Sequence, residues 1–218
     1  MLRPGWRQSA MLASLTISVA HAASAATLAG TYRAAAGPDV ASELVLKPDG
    51  RFTYFFAAGA LDEQARGKWQ ADGKFLRLTT IPTPVAPLFS AALSSMSADA
   101  PLALLVTGPK DGGIAGVDLR IGFDHGEDLE GYTQEYGWRL PEEETRIPRW
   151  VEFEVPMYQL RSQRFPIDVR KGNKLSFVLT PNDMGTINFT GAQIDIEPGR
   201  LVLHRGDTSL VFEASDRK

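Results

Sequence analysis

The chain has no cysteine among its 218 residues, and this absence removes several kinds of chemistry at once. A disulfide, a thiol nucleophile, a cysteine-ligated zinc or iron–sulfur site and the cysteine of a lipid-anchor signal are all excluded. The chain also has little net charge, since 23 Lys and Arg stand against 26 Asp and Glu. It carries no basic stripe that could follow a phosphate backbone, which argues against a nucleic-acid partner. With 44% hydrophobic residues, the sequence predicts a folded protein and not a disordered one.

The first 25 residues have the pattern of an export signal. Arg3 and Arg7 make the n-region positive, and residues 10–20 form a short apolar run. Ala20-His21-Ala22 and Ala23-Ser24-Ala25 offer two small-residue cleavage sites. The apolar run is shorter than the roughly 20 residues that a membrane-spanning helix needs, so cleavage is favoured over an anchor. We therefore expect residues 1–25 to be a signal peptide, the mature protein to be periplasmic or secreted, and no transmembrane segment to remain.

Most of the remaining sequence alternates between apolar and polar residues with the period of a β-strand. Residues 42–46 and 51–56 alternate on either side of Lys47-Pro48-Asp49-Gly50, whose proline and Asp-Gly pair suit a tight turn. A second hairpin pattern surrounds Ala71-Asp72-Gly73, and further alternations follow at 117–123, 150–155 and 175–212. Short strands separated by Gly, Asp, Asn and Pro predict the all-β class, with an antiparallel barrel or sandwich.

Residues 80–101 interrupt the alternation. The segment is rich in Ala and Ser, and Pro82, Pro84 and Pro87 lie close together. Since proline removes a backbone donor from a strand ladder, the segment predicts a connection and not a strand. Residues 88–98 allow at most one or two helical turns.

The first part of the mature chain resembles a bacterial exported lipocalin-like β-barrel domain. The motifs that carry this resemblance are Gly30-Thr31-Tyr32, Leu44 to Phe52 with its Asp49-Gly50 turn, Gly67-Lys68-Trp69 and Leu76-Arg77-Leu78. Residues 173–212 are similar to the closing strands of such a barrel. The resemblance implies an antiparallel barrel formed by residues 26–100 and 171–218.

The middle of the chain resembles a carboxypeptidase-regulatory or transthyretin-like β-sandwich. Leu104 to Gly108, Gly113 to Leu119 and Gly131 to Trp138 follow the pattern of a G-x-x-V strand and a T-x-x-x-G turn. Gln134 stands where that family usually has Asp, and the loop 125–130 is longer than expected. The resemblance implies an inserted β-sandwich-like module over residues 101–170, of a kind that usually binds or scaffolds and does not catalyse.

Two sets of aromatic residues and one acidic loop are the candidate sites. Phe52, Tyr54, Phe56 and Trp69 converge inside the expected barrel, where they either fill the core or line a pocket for a small apolar ligand. Tyr132, Tyr136, Trp138 and Trp150 offer an exposed patch for a partner. Asp124, Glu127, Asp128 and Glu130 could supply oxygen ligands to Ca²⁺, although their spacing differs from the EF-hand loop and a solvated acidic loop is the alternative. No other cofactor is expected.

Catalytic signals are sparse. His125 and His204 are the histidines outside the export signal, and no serine lies in a G-x-S-x-G turn. Glu152 and Glu154 lie on the polar face of one expected strand, and sequence alone gives no separation for a carboxylate pair. Residues 142–144 are expected to be a solvated acidic run.

The sequence leaves three functional hypotheses. The favoured one is a non-catalytic binding or interaction module of the bacterial cell envelope, whose partner is an envelope protein or a peptide. The alternatives are a carrier of a small apolar ligand and an envelope hydrolase that acts on carbohydrate or peptide. The absence of a nucleophile or metal motif argues against the hydrolase.

Overall fold

The fold is all-β, as the sequence predicts, and combines a closed barrel with further sheets. The computed structural model describes residues 27–34, 37–110, 112–206 and 208–215; the expected signal peptide lies outside the described residues. The barrel strands are β1 Gly30–Ala34, β2 Val40–Leu46, β3 Arg51–Ala58, β4 Leu61–Asp72, β5 Phe75–Thr80, β15 Ala192–Glu197, β16 Arg200–Arg205 and β17 Thr208–Ala214. Between β5 and β15 lie β6 Leu88–Ser95, β7 Ala103–Thr107, β8 Asp118–Phe123, β9 Leu129–Tyr132, β10 Trp138–Arg139, β11 Pro148–Val155, a 3₁₀ turn Pro156–Tyr158, β12 Leu160–Arg161, β13 Phe165–Pro166 and β14 Lys174–Thr180.

The barrel has eight strands in the order β1-β17-β16-β15-β5-β4-β3-β2, and every neighbouring pair is antiparallel. This up-and-down closure is the architecture that the lipocalin-like resemblance implies. The two expected hairpins are present, because β2 and β3 join through Gly50 at φ +78° and β4 and β5 join through Gly73 at φ +63°. Leu44, Leu46 and Phe52 are fully buried, so the alternating apolar residues do point into the barrel.

Strands β6 to β14 form two β-sheets packed face to face, which we call the sandwich. One sheet has the order β10-β7-β14-β6, and the other has the order β12-β11-β8-β9 with β13 beside β11. Apolar residues of both sheets share one core, in which Phe153 packs edge-on against Phe177 with ring centroids 4.8 Å apart. Strands β6 and β14 lie in ranges that the sequence assigns to the barrel, yet they pair with each other in the sandwich.

The expectation of a connection without a strand over residues 80–101 is wrong, because Leu88–Ser95 forms β6. Only Phe89 of this strand is buried, so the period-two pattern that marks other strands is absent. The strand is held by its backbone pairing with β14 and not by burial of one face. The prolines lie before it, at positions where they interrupt no ladder.

Both connections between the two bodies leave the barrel at one end, which we call the barrel mouth. The β3–β4 and β16–β17 turns also lie at this end, together with the last residue of β5 and the first of β15. The second connection runs beside β4, since Gln64 N–H donates to Gly185 and Ile187 N–H donates to the Gln64 carbonyl. The two connections also bond to each other through Asp183 and Val85. These bonds tie the sandwich to the mouth.

Candidate functional site

The aromatic residues expected to line a barrel pocket fill the barrel instead. Phe52, Tyr54 and Trp69 are buried at 1%, 3% and 3% exposure, and Phe56 is half-buried nearer the mouth. Phe189, from the connection before β15, adds a fifth ring whose centroid lies 5.0 Å from that of Tyr54. The Phe189 N–H donates to the Thr80 hydroxyl, which in turn donates to the Ile187 carbonyl. The alternation of Ile187 with Phe189 predicted a strand here, but Phe189 lies in a connection, where it is a fixed plug near the mouth.

A buried ion pair lies at the mouth, and the sequence reading missed it. Arg205 donates from Nη1 and Nη2 to the two oxygens of Glu63 at 2.6 and 2.7 Å. The Glu63 side chain is 7% exposed and that of Arg205 is 27% exposed. These hydrogen bonds raise the pKa of Arg205 above its usual range. Glu63 lies on the same inward-facing side of β4 as Ala65 and Trp69. A charged residue at a position expected to face inward was therefore the sequence signal that could have indicated a buried ion pair.

Tyr54 links this ion pair to the aromatic core. Its hydroxyl lies 3.5 Å from Glu63 Oε2, while its ring contacts Phe189 and Phe212. Burial raises the pKa of Tyr54 above the ordinary value of 10.0. The phenol therefore stays neutral and able to donate across a wide range of pH.

A cleft of about 310 Å³ lies between the mouth and the sandwich. Glu63, Asp183 and Arg205 contribute its charged lining, and apolar atoms come from residues 84–87, Met157 and Tyr158. Gln159 and Asn182, at φ +52° and +44°, lie at or beside this cleft in the left-handed region that non-glycine residues rarely adopt. The cleft combines apolar walls with a guanidinium, so it suits a small molecule with one polar end.

The acidic loop at 124–130 is organised by an arginine. Arg146 donates to the Glu127 carbonyl at 2.6 Å and to both carboxylate oxygens of Glu144, and its guanidinium lies 4.1 Å from the Phe123 ring centroid. These bonds from Arg146 hold the pKa of Glu144 at about 2, against an ordinary value of 4.5. Glu142 and Glu143 are exposed as expected, whereas Glu144 is a structural partner of Arg146, which corrects the expectation at that residue. Arg146 is 19 positions from Glu127, so no local pattern indicated that it reaches the loop.

The four proposed calcium ligands do not converge. Asp124 accepts the Ile147 N–H at 3.1 Å and contacts His125, and Glu130 pairs with Arg120 on the adjacent strand. Glu127 and Asp128 are exposed between them. Within the described ranges, no three His, Asp or Glu side chains are grouped so that they could hold a metal ion.

The four aromatic residues expected in a partner patch have different surroundings. Tyr132 and Tyr136 are 59% and 88% exposed. Trp138 is half-buried, and a Cβ placed at Gly131 would come within 2.8 Å of its indole nitrogen. Trp150 is covered on one side by Gly122 and on the other by the Arg164 guanidinium, 3.9 Å from the ring centroid. Only the two tyrosines present most of their side chains to solvent.

Tyr132 borders a groove on the outside of the sandwich. The side chains of β8, β9 and β11 that point away from the core form what we call the outer sheet face. Register places Asp118 between Tyr132 and Glu154, and Arg120 between Glu130 and Glu152. A groove of about 440 Å³ runs over this face. The members of the outer sheet face are Asp118, Arg120, Glu130, Tyr132, Glu152 and Glu154.

The outer sheet face carries more acid than base. Arg120 contacts Glu130 at 3.1 Å, and Arg161 from β12 contacts both Glu154 and Glu152. The two guanidiniums contact Glu130, Glu152 and Glu154, and with Asp118 the four carboxylates leave two negative charges in excess. Glu152 and Glu154 extend from one strand toward the same arginine, whereas a glycosidase pair must flank a substrate from two sides.

A serine, a histidine and an aspartate meet on the outer barrel wall. His204 lies 2.9 Å from Ser209 through Nδ1 and 3.1 Å from Asp195 through Nε2. All three belong to neighbouring strands, and β16 is paired on both sides, so its backbone N–H groups are engaged in the ladder. A nucleophilic triad also requires free donors for an oxyanion and a recess for substrate. His204 and Ser209 are exposed on this wall, and the hydrogen bonds of the set link three neighbouring strands.

Comparison of the chain with protein-family models, curated proteins and solved structures gives no match. In the part of the chain that the structure describes, no helix is long and apolar enough to cross a membrane. The functional conclusion therefore depends on the geometry of the mouth and of the outer sheet face.

Proposed function

We propose that this chain is an exported, non-catalytic binding protein of the bacterial cell envelope. In this proposal the lipocalin-like barrel is a scaffold, and the transthyretin-like sandwich binds the partner on its outer sheet face. The filled barrel supports the scaffold role, since the four expected aromatic side chains and the Phe189 plug occupy its interior. The N-terminal export pattern supports the compartment.

The observation that carries the proposal is the groove on the outer sheet face. Its excess of two negative charges favours a basic partner by charge complementarity. Tyr132 adds an exposed ring at one border, and tyrosine is a residue type that often dominates binding energy at interfaces. An extended segment with Lys or Arg fits a groove that crosses paired strands. The proposed partner is therefore a basic peptide or a basic segment of an envelope protein.

The sheet under this groove is held rigidly. The buried Thr133 hydroxyl, just after β9, donates to the Ile114 carbonyl at 2.6 Å and accepts the Val117 N–H at 3.1 Å. These bonds fix the end of β9 to the segment that leads into β8. A pre-formed surface loses little entropy when it binds, which favours recognition without rearrangement.

The test is fluorescence anisotropy of two labelled peptides of equal length, one rich in Lys and Arg and one rich in Asp and Glu. We expect the basic peptide to bind the mature protein more tightly and to weaken as salt rises. Tyr132→Ala and Asp118→Asn should each weaken it about five- to tenfold, since an interface anchor is worth more than about 1 kcal/mol. Tyr136→Ala is the matched control, because Tyr136 is 88% exposed and lies outside the groove. Equal binding of the two peptides, or an equal loss in the control, would refute the proposal.

The cleft at the mouth favours a second candidate function, a carrier of a small amphipathic ligand. Its apolar walls and the Arg205 guanidinium are the observations behind this alternative. Native mass spectrometry of protein purified from its own envelope separates the two functions. A retained small-molecule mass that is lost in Arg205→Met supports the carrier, and a co-purified basic protein supports the binding module.

A further inference from the structure

Strand β6 is an unusual edge among the strands that the structure describes. The barrel is closed and so has no edge, and the other edges of the sandwich are short. Strands β10 and β12 have two residues each and β9 has four, whereas β6 has eight. Natural sheets keep their edges short or charged because an open ladder pairs readily with another chain. The sandwich follows that rule at three edges and departs from it at β6, whose length is interrupted only by a β-bulge at Ala92 and Leu93, opposite Ser176.

The composition of β6 lacks the usual protection as well. Residues 88–96 contain no charged residue and no proline. Leu88, Leu93 and Met96 are 54%, 79% and 66% exposed. By contrast, the short edges carry Arg139, Arg161 and Glu130. A long, uncharged and apolar edge in an exported protein is a surface for strand addition.

A mainly apolar groove of about 470 Å³ lies beside this edge. Its apolar lining comes from Ala91 and Leu93 of β6, Phe165, Ile167 and Leu175, and its charged lining is the Asp168–Lys171 ion pair. A strand added to β6 would extend the sheet over this groove. Alternate side chains of that strand would then point into it, so the occupant needs small or apolar residues at every second position.

The strand that fits these requirements is β6 itself, and we propose that two copies of this protein associate by antiparallel pairing of their β6 strands. A two-fold axis brings each residue near its own counterpart, so any charge would face a like charge. An uncharged strand avoids this repulsion, and the exposed Ala91 and Leu93 provide the small and apolar side chains that the groove accepts, while Phe89 stays in the core of its own sandwich. The central Ala91 and Ala92 allow close approach at the axis. The two four-stranded sheets then form one sheet across the dimer.

This dimer is closed, because pairing consumes the long edge of each copy and leaves only short ones. It also leaves the outer sheet face on the other side of each sandwich, so it is independent of the proposed function. One strand pair with its flanking side chains falls at or below about 1,200 Å² of buried surface, the range of transient complexes. We expect a dissociation constant in the micromolar range.

Sedimentation velocity of the mature protein over roughly a hundredfold range of concentration around micromolar tests the proposal. We expect a reversible monomer–dimer equilibrium, and Ala92→Lys should weaken it at least tenfold through repulsion at the axis. Gln70→Lys, on the exposed outer wall of the barrel, is the control for added charge and should leave the equilibrium unchanged. Ala92→Glu should also be monomeric, and an equal mixture of the Lys and Glu variants should associate again.

Matching far-UV circular dichroism and melting temperature show that the variants are folded, since residue 92 is exposed at an edge. A wild-type protein that stays monomeric over the whole range overturns the proposal. A dimer that Ala92→Lys does not weaken overturns it too, because the contact then lies elsewhere. Recovery of association in the charge-paired mixture supports it, since only a self-paired strand brings the two substitutions together.

Discussion

The Glu63–Arg205 pair makes a quantitative test of how the barrel mouth is held. Arg205→Met keeps the apolar stem of the side chain but leaves a carboxylate that is 7% exposed, whose remaining hydrogen bond among the described residues comes from the Tyr54 hydroxyl at 3.5 Å. Removing one member of a buried pair costs about 3–5 kcal/mol, because the other charge stays buried without a partner. Glu63→Gln should cost less, about 2–3 kcal/mol, since Arg205 is 27% exposed and can reach water. The double variant Glu63→Leu with Arg205→Met should recover most of the loss.

Urea unfolding followed by tryptophan fluorescence measures these free energies. Single variants that lose less than about 1 kcal/mol, or a double variant no more stable than Arg205→Met, would show that the pair is not coupled as described.

Four further predictions follow from contacts described above. Phe189→Ala should lower the free energy of unfolding by about 3–5 kcal/mol in urea titrations, because it empties a ring-sized space beside Tyr54; a loss below about 1 kcal/mol would contradict the plug. Thr133→Val should cost about 1–3 kcal/mol by the same assay, since a buried N–H and a carbonyl lose their partner, and a neutral result would contradict that role. Tyr54 has a raised pKa, so its stabilising effect is complete below pH 10.0 and is lost as the pH rises further; wild type should lose more stability above this pH than Tyr54→Phe does, and parallel curves would contradict the burial. Glu144 has a lowered pKa, so its effect is present above 4.5 and is lost as the pH falls toward about 2; thermal melts of Glu144→Gln should lack this acid-induced loss, and identical acid limbs would contradict it.

Local alternation predicted the parts of the fold that bury one strand face. Leu119 and Ile121 of β8 and Val151 and Phe153 of β11 are buried as their spacing indicated. The same reasoning failed at β6, where pairing with β14 replaces burial and leaves no periodic signal. A period-two pattern arises when one face of a strand is buried and the other is exposed. A strand that is exposed on both faces along most of its length lacks this difference between its faces.

The candidate sites were harder to predict, because their key contacts join residues far apart in sequence. Glu63 and Arg205 are 142 positions apart, and Phe189 reaches Thr80 from 109 positions away. Arg146 lies outside the acidic loop that it organises. The carboxylates of the loop, considered without Arg146, therefore suggested a bound calcium ion, whereas the positive charge beside the loop is the Arg146 guanidinium. Residue types were sufficient to name aromatic and acidic candidates, whereas their partners depended on tertiary contacts.

The pairing of β1 with β17 also sets an order of events in time. Tyr32 lies opposite Ala214, so the barrel closes by joining the two ends of its sequence. A chain that is synthesised or exported from its N-terminus delivers β6 to β14 before β15 to β17. The sandwich can therefore complete both of its sheets while β1 to β5 still have open edges. Until β17 arrives, the half-formed barrel is the part of the nascent chain that most needs protection from wrong pairing.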